Sequence, residues 1–422
     1  MASRKAKKIK KTEKIENPGD QFDLNRLQIP TEIFLSGMSL DALVARVNKQ
    51  AKRTVLKRAS EAGNPFLLRR PFGIASLDCA TGGGIPAGGV TQIAAPEGIG
   101  KNSLCNRIIS QVQQLYGEQS CIGWVWLEVP YDKPHARING VVVPSSDMDL
   151  MFENKEREKR GLAPLSEDII AKRRSSIGEF IIGDEGSTER RLQSVIDLIS
   201  ENRCQIIVLD SIGSVVSKYR VETDMEDEPK QSASAALLSD FMRLCWNSFS
   251  NPSNGTMNMT SLIMINQVRA NRNRRGAYDK AWTVEGPWAI RHGKLLDVTL
   301  SRGERLPADR KKPLEGKWVK WEVMKGKVGC HEGGKGEVAY YFKHGFDAYQ
   351  DAVNTADSMG LLIRQGQRRD LIKPDGEVVL ELLPWGEKGA DLVSALYEDH
   401  SLFEKMYYTC LEAAKVSCLH RL

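Results

Sequence analysis

The residues best suited to chemistry in this 422-residue chain lie in one short stretch and at the ends of three apolar runs. The stretch Thr91-Gln92-Ile93-Ala94-Ala95-Pro96-Glu97-Gly98-Ile99-Gly100-Lys101-Asn102-Ser103-Leu104 reads as a strand, a Gly-containing loop closing on Gly-Lys, and a helix starting near Gly100. Backbone N–H groups of such a loop and of the first helical turn point inward as an anion cradle, and Lys101 adds a mobile positive charge. The expected ligand is a nucleoside triphosphate. Against the pattern G-x-x-x-x-G-K-[ST], Ala95 stands at the first Gly, and Asn102 stands where a hydroxyl would ligate Mg²⁺. On these residues alone, a Gly-rich turn before a helix is an equal reading.

The elements that must position this loop follow from the apolar pattern. Ile122-Gly123-Trp124-Val125-Trp126-Leu127 ends at Glu128, Gln205-Ile206-Ile207-Val208-Leu209 ends at Asp210-Ser211, and Ser261-Leu262-Ile263-Met264-Ile265 ends at Asn266-Gln267. Between them, Leu192, Val195, Ile196 and Ile199 share one helix face, and Leu238, Phe241, Met242 and Cys245 another. Continuous apolar strands alternating with helices predict a parallel sheet covered on both sides, with ligand-binding polar residues at strand C-termini. Glu128, Asp210 and Gln267 are therefore expected to converge on Lys101. Upstream, Ser39 is a candidate N-cap for a helix with Leu40, Leu43, Val44, Val47 and Ala51 on one stripe. That stripe either folds back on its own domain or docks on a neighbouring subunit.

Composition bounds the setting. With 41% hydrophobic and 27% charged residues and no long apolar run, the chain reads as soluble, without a membrane span or signal peptide. Eight scattered cysteines without a C-x-x-C pair read as reduced core residues of a cytoplasmic protein. The net charge of +6 is local: residues 1–14 hold seven Lys/Arg against one Glu, leaving 53 of each sign in the rest. This basic tail is either a nucleic-acid contact or a solubility arm.

The order of motifs resembles RecA-type homologous recombinases, of the divergent kind that bacteriophages encode. The residues that carry the resemblance are Ser76-Leu77-Asp78, Gly83-Gly84-Ile85-Pro86, Pro96-Glu97 with Gly100-Lys101, and Glu128 with Asp132, Ala136-Arg137 and Gly140. Val208-Leu209-Asp210-Ser211, Ile265-Asn266-Gln267-Val268-Arg269 and Val323-Met324-Lys325-Gly326-Lys327-Val328 follow. The resemblance spans about residues 70–385. It implies an α/β fold: a RecA-like P-loop ATPase core with a mostly parallel sheet, a short N-terminal oligomerisation segment and a small α+β C-terminal domain. The expected divisions are a basic tail and linker (1–38), an oligomerisation helix segment (39–70), the core (71–336) with an insertion at about 148–177, and the C-terminal domain (337–422). The insertion reads as a solvated helical excursion.

The resemblance also implies roles. Pro96, Glu97, Gly98, Ile99, Gly100, Lys101, Asn102 and Ser103 would surround the phosphates of ATP, with Asp210 and Asn102 toward Mg²⁺. Glu128 would orient or deprotonate the attacking water, and Asp132 and His135 would contact adenine. Gln267 would sense the γ-phosphate, and Lys325 and Lys327 would reach a neighbour's nucleotide. After Gln267, Arg269, Arg272, Arg274 and Arg275 with Trp282 and Trp288 suit backbone neutralisation plus base stacking. The earlier candidate DNA loop, about 222–232, is acidic. The implied activity is DNA-dependent ATP hydrolysis by a helical homo-oligomer on single-stranded DNA, pairing it with double-stranded DNA in the bacterial host cytoplasm. Loader or single-strand-binding proteins are further candidate partners. Two alternatives stay open: a non-hydrolysing or slow ATP-gated DNA scaffold, favoured by Asn102 and Ala95, and a ring-forming helicase, which would need more N-terminal domain than residues 1–70 supply.

Overall fold

A computed structural model describes residues 39–52, 54–58, 60–183, 186–215, 232–270, 282–284, 287–309 and 311–416. Residues 1–63 and 64–422 form two compact units. In the first, the helix Leu40–Ala51 starts where Ser39 accepts a hydrogen bond from the Ala42 N–H (3.3 Å), the cap expected from the sequence. On its stripe Leu43 is exposed and Val44 and Val47 are half-buried.

The second unit is built on one sheet. Its strands are β1 (Gly89–Ala95), β2 (Cys121–Trp126), β3 (Glu179–Gly183), β4 (Ile206–Asp210), β5 (Ser261–Ala270), β6 (Trp282–Val284), β7 (Leu296–Leu306), β8 (Gly316–Gly326), β9 (Lys335–Tyr341) and β10 (Gly345–Phe346). They run in the order β10-β9-β8-β7-β1-β5-β4-β2-β3, and β6 pairs with β5 as a hairpin stem. The segment from β3 to β7 is parallel, and β8, β9 and β10 extend it antiparallel. Registers Ala95 opposite Gln267 and Trp126 opposite Asp210 bring the strand C-termini to one edge.

Burial on both faces is why β2, β4 and β5 carry unbroken apolar runs. One face packs against the helix Lys101–Tyr116 through Leu104, Cys105, Ile108, Ile109 and Val112, all fully or nearly fully buried. Truncating one of these, as in Ile108→Ala, should cost about 2–5 kcal/mol. The other face packs against Thr188–Glu201 and Ser232–Ser250, through the two apolar faces read from the sequence. Ser187 caps the first of these helices, and Asn202 ends it in the left-handed conformation.

Strand β9 crosses residue 337, so the central sheet runs on to Phe346. Beyond it, the helix Ala348–Ser358, a three-stranded antiparallel sheet (Leu362–Gln365, Arg368–Ile372, Val378–Pro384) and the helices Ala390–Glu398 and His400–Ala413 share their own core. That core closes over the helix Ala75–Thr81. Buried Asp78 joins the two parts: its carboxylate accepts from Phe72 N–H (2.8 Å), Ile74 N–H (3.1 Å) and the Tyr407 hydroxyl (2.8 Å). The segment 148–177 forms the helices Asp147–Lys159 and Glu167–Arg174, tied to the body by Lys133–Asp149 (2.5 Å) and to each other by Arg173–Glu153 (3.2 Å).

Candidate nucleotide site

The loop after β1 needs glycine at two positions. Gly98 (φ +68) and Gly100 (φ +124) lie where a side chain would be strained. Ala95 ends β1 in extended, fully buried backbone, so nothing there calls for glycine. Gly100 caps the 16-residue helix Lys101–Tyr116, whose N-terminus therefore faces the loop with unpaired N–H groups and the positive end of its dipole. Ile99 is turned into the core, so it can offer only backbone to a ligand, and Pro96 is exposed. The Lys101 amine donates to the carbonyls of Ala95 (3.1 Å) and Pro96 (3.2 Å). Burial pushes its pKa down, and Asp210 and Glu128 oppose that shift.

A cleft of about 440 Å³ opens here, lined by the loop and by Glu128, Asp132, His135, Asp210 and Gln267. The strand-end residues do converge. The Asn102 amide donates to Asp210 (2.8 Å), while Glu128 accepts from Ser211 (2.8 Å), Ser214 (3.0 Å) and the Gln267 amide (3.0 and 3.1 Å). Glu128 is thus bonded directly to the Gln267 amide, in the strand that leads into the β5–β6 hairpin. Desolvation raises the Asp210 pKa to about 6, against the lowering effect of Asn102.

The far end of the cleft is more crowded than the sequence suggested. Ser103 contacts both His135 Nε2 (2.9 Å) and the Tyr340 hydroxyl (3.0 Å), so its oxygen is turned away from Asp210. Asp132 is the N-cap of the helix Lys133–Ile138 and accepts from His135 N–H (2.9 Å). Sequence reasoning missed Lys317 on β8, Tyr340 on β9 and Phe342 in the turn after β9, which line the cleft from the antiparallel half of the sheet. Their one sequence signal was the strand alternation around them.

These residues fit a magnesium nucleotide. Mg²⁺ with a triphosphate needs only one or two protein carboxylates and keeps phosphate and water oxygens as its other ligands. Asp210 supplies the carboxylate beside Lys101. Asn102 presents N–H₂ to Asp210, so it would have to turn over to offer an oxygen.

Other expected residues lie elsewhere. Lys325 donates to the carbonyls of Arg291 (2.5 Å) and His292 (3.2 Å), and Lys327 to that of His292 (3.3 Å). Both therefore sit at the carbonyl end of the helix Trp288–Gly293, outside the cleft lining, and β8 is an interior strand of the sheet. Arg269 and Trp282 lie in the paired strands β5 and β6. Arg272, Arg274, Arg275 and the acidic segment about 222–232 lie outside the described residues. Trp288 is 70% exposed and stacks on His292 at 4.8 Å, so it is not a core residue. Behind Gln267, a buried chain runs from Asn266 to Gln92 (3.3 Å), Asp297 (3.0 Å) and Lys294 (2.5 Å), directly after that helix. Among the described residues, no helix is long and apolar enough to cross a membrane, and no cluster of three or more His, Cys, Asp or Glu could hold a metal ion.

No family model matches the chain. It is 26% identical over 330 residues to Protein RecA of Thermus aquaticus, covering 78% of this chain and 83% of that protein. To Protein RecA of Petrotoga mobilis it is 26% identical over 373 residues, covering 88% and 87% respectively. A crystal structure of the RadB recombinase aligns over 66% of this chain and 98% of its own, at 18% identity and a TM-score of 0.39.

Proposed function

We propose that this chain is an ATP-dependent recombinase of the RecA type, encoded by a bacteriophage and acting in the host cytoplasm. It would form filaments on single-stranded DNA and promote pairing and strand exchange with a duplex. The low but nearly full-length similarity to RecA proteins supports the class. One observation carries the mechanism: the Gln267 amide bonds to Glu128 inside the nucleotide cleft and stands in the strand that becomes the β5–β6 hairpin.

Helix N-terminal N–H groups and Lys101 hold the phosphates, and Mg²⁺ beside Asp210 offsets their charge when bound. Glu128, held by two hydroxyls and an amide, orients or deprotonates the attacking water. A γ-phosphate competing for the Gln267 amide would draw it from Glu128 and shift the hairpin that carries the Arg-rich segment, so that nucleotide state sets DNA affinity. The apolar stripe of Leu40–Ala51 would join subunits, and the basic residues 1–14 would add a DNA contact.

The test is ATP hydrolysis with and without single-stranded DNA. Wild type should be DNA-stimulated, and Lys101→Ala should lose nucleotide-dependent DNA binding. Glu128→Gln should slow hydrolysis by about 10²–10⁴-fold while keeping ATP-dependent DNA binding. Unchanged turnover in Glu128→Gln would remove Glu128 from the chemistry. ATP-gated DNA binding without measurable turnover in wild type would favour the scaffold reading, for which Asn102 is the specific argument.

A further inference from the structure

Lys317 is a second amine at the phosphate loop. It lies near the start of β8, far along the chain from the loop, and its residue is only 6% exposed. Its ammonium donates to the Gly98 carbonyl and stands 5.6 Å from the centre of the Tyr340 ring. Among the described residues it has no carboxylate partner, and the charge that acts on it is another cation, Arg302. A buried lysine without a counter-charge is costly, and burial and Arg302 both push its pKa down. Such a group is stabilised by an anion, and the space it borders is the nucleotide cleft.

The charge balance of that cleft points the same way. Its lining carries Glu97, Glu128, Asp132 and Asp210 against only Lys101 and Lys317. A triphosphate entering among those carboxylates is opposed unless each available cation faces it. Both amines rest on loop carbonyls, Lys101 on Ala95 and Pro96 and Lys317 on Gly98, and both line the cleft.

We propose that Lys317 is a second phosphate-binding lysine of this site, leaving the Gly98 carbonyl to pair with a nucleotide phosphate when ATP or ADP binds. This rests on the assignment of the cleft to a nucleotide. It gives the loop a cation that its own sequence motif does not contain, supplied from the antiparallel half of the sheet.

The test is calorimetric titration of the full chain with adenosine, ADP and Mg-ATP, for wild type, Lys317→Met, Lys317→Arg and Lys101→Ala. Lys317→Met keeps the buried stem and removes only the charge. Affinity for ADP and Mg-ATP should fall roughly tenfold to a hundredfold, as for loss of a charged hydrogen bond, with adenosine unchanged and Lys317→Arg restoring most of the loss. Unchanged ATP affinity in folded Lys317→Met, or an equal loss for adenosine and ATP, would overturn the proposal. If wild type binds Mg-ATP and Lys101→Ala does not, the nucleotide assignment stands whatever Lys317 does. If wild type binds none of the three, that assignment falls and the proposal with it.

Discussion

Replacing Asn102 by Thr tests how the unusual loop handles its metal. In the structure the Asn102 N–H₂ occupies Asp210 at 2.8 Å, in a site where Asp210 is only 7% exposed. A hydrogen bond to a charged group in such surroundings is worth about 1.5–3 kcal/mol, and an ion using Asp210 competes with it. Thr removes that competitor and restores a small hydroxyl at the same place on the helix. Mg²⁺ half-saturation of DNA-stimulated hydrolysis should therefore fall by roughly tenfold, and turnover should rise. The assay is a Mg²⁺ titration of ATP hydrolysis at pH 8. That pH matters because Asn102 lowers the Asp210 pKa, which stands at about 6. Losing the amide raises it further, and only well above it is the carboxylate ionised in both proteins. A folded Asn102→Thr protein with unchanged half-saturation and unchanged or abolished turnover would refute the reasoning.

Three other outcomes are expected. Burial raises the carboxyl pKa of Asp78 to about 7 and of Asp351 to about 6, so the folded state binds protons more tightly than the unfolded chain. Their contribution is full below about pH 4 and is lost as pH rises through about 6 to 7, on the order of 4 kcal/mol for Asp78. Urea melts should show this slope, and Asp78→Asn should flatten it. Lys325→Ala and Lys327→Ala should lose DNA-stimulated hydrolysis while keeping the nucleotide affinity of the monomer, because both lysines lie outside the cleft lining; equal losses in monomer binding would give them a local role. Arg272→Ala, Arg274→Ala and Arg275→Ala should each lower the salt slope of single-strand affinity by roughly 0.7. Exposed Trp288, changed to Ala, should cost about 1–3 kcal/mol of affinity with little change in salt slope or melting temperature.

Strands β2, β4 and β5 were legible because each carries a buried apolar run that gives way to a polar residue. Runs ending at Glu128, Asp210 and Gln267 give strand and site in one pattern. The helix faces Leu192–Ile199 and Leu238–Cys245 were legible for the same reason, since each buries a stripe at helical spacing. Ala95 departs from the P-loop pattern without consequence for the backbone, which needs positive φ at Gly98 and Gly100 and extended conformation at Ala95. Lys317, Tyr340 and Phe342 were not legible. Lys317 and Tyr340 reach the cleft through the antiparallel pairings of β8 and β9, with Phe342 in the turn beyond, and alternation shows which side chains share a face without showing what faces them. The same limit hid the strand pairing within 261–284, where the arginines from Arg269 on read as one loop.

Electron microscopy of the chain with single-stranded DNA and a slowly hydrolysed ATP analogue tests the central claim most directly. Helical filaments on the DNA that require the nucleotide, and that disappear with Lys101→Ala, are the predicted result. Closed rings, or naked DNA beside protein that binds the analogue, would contradict it.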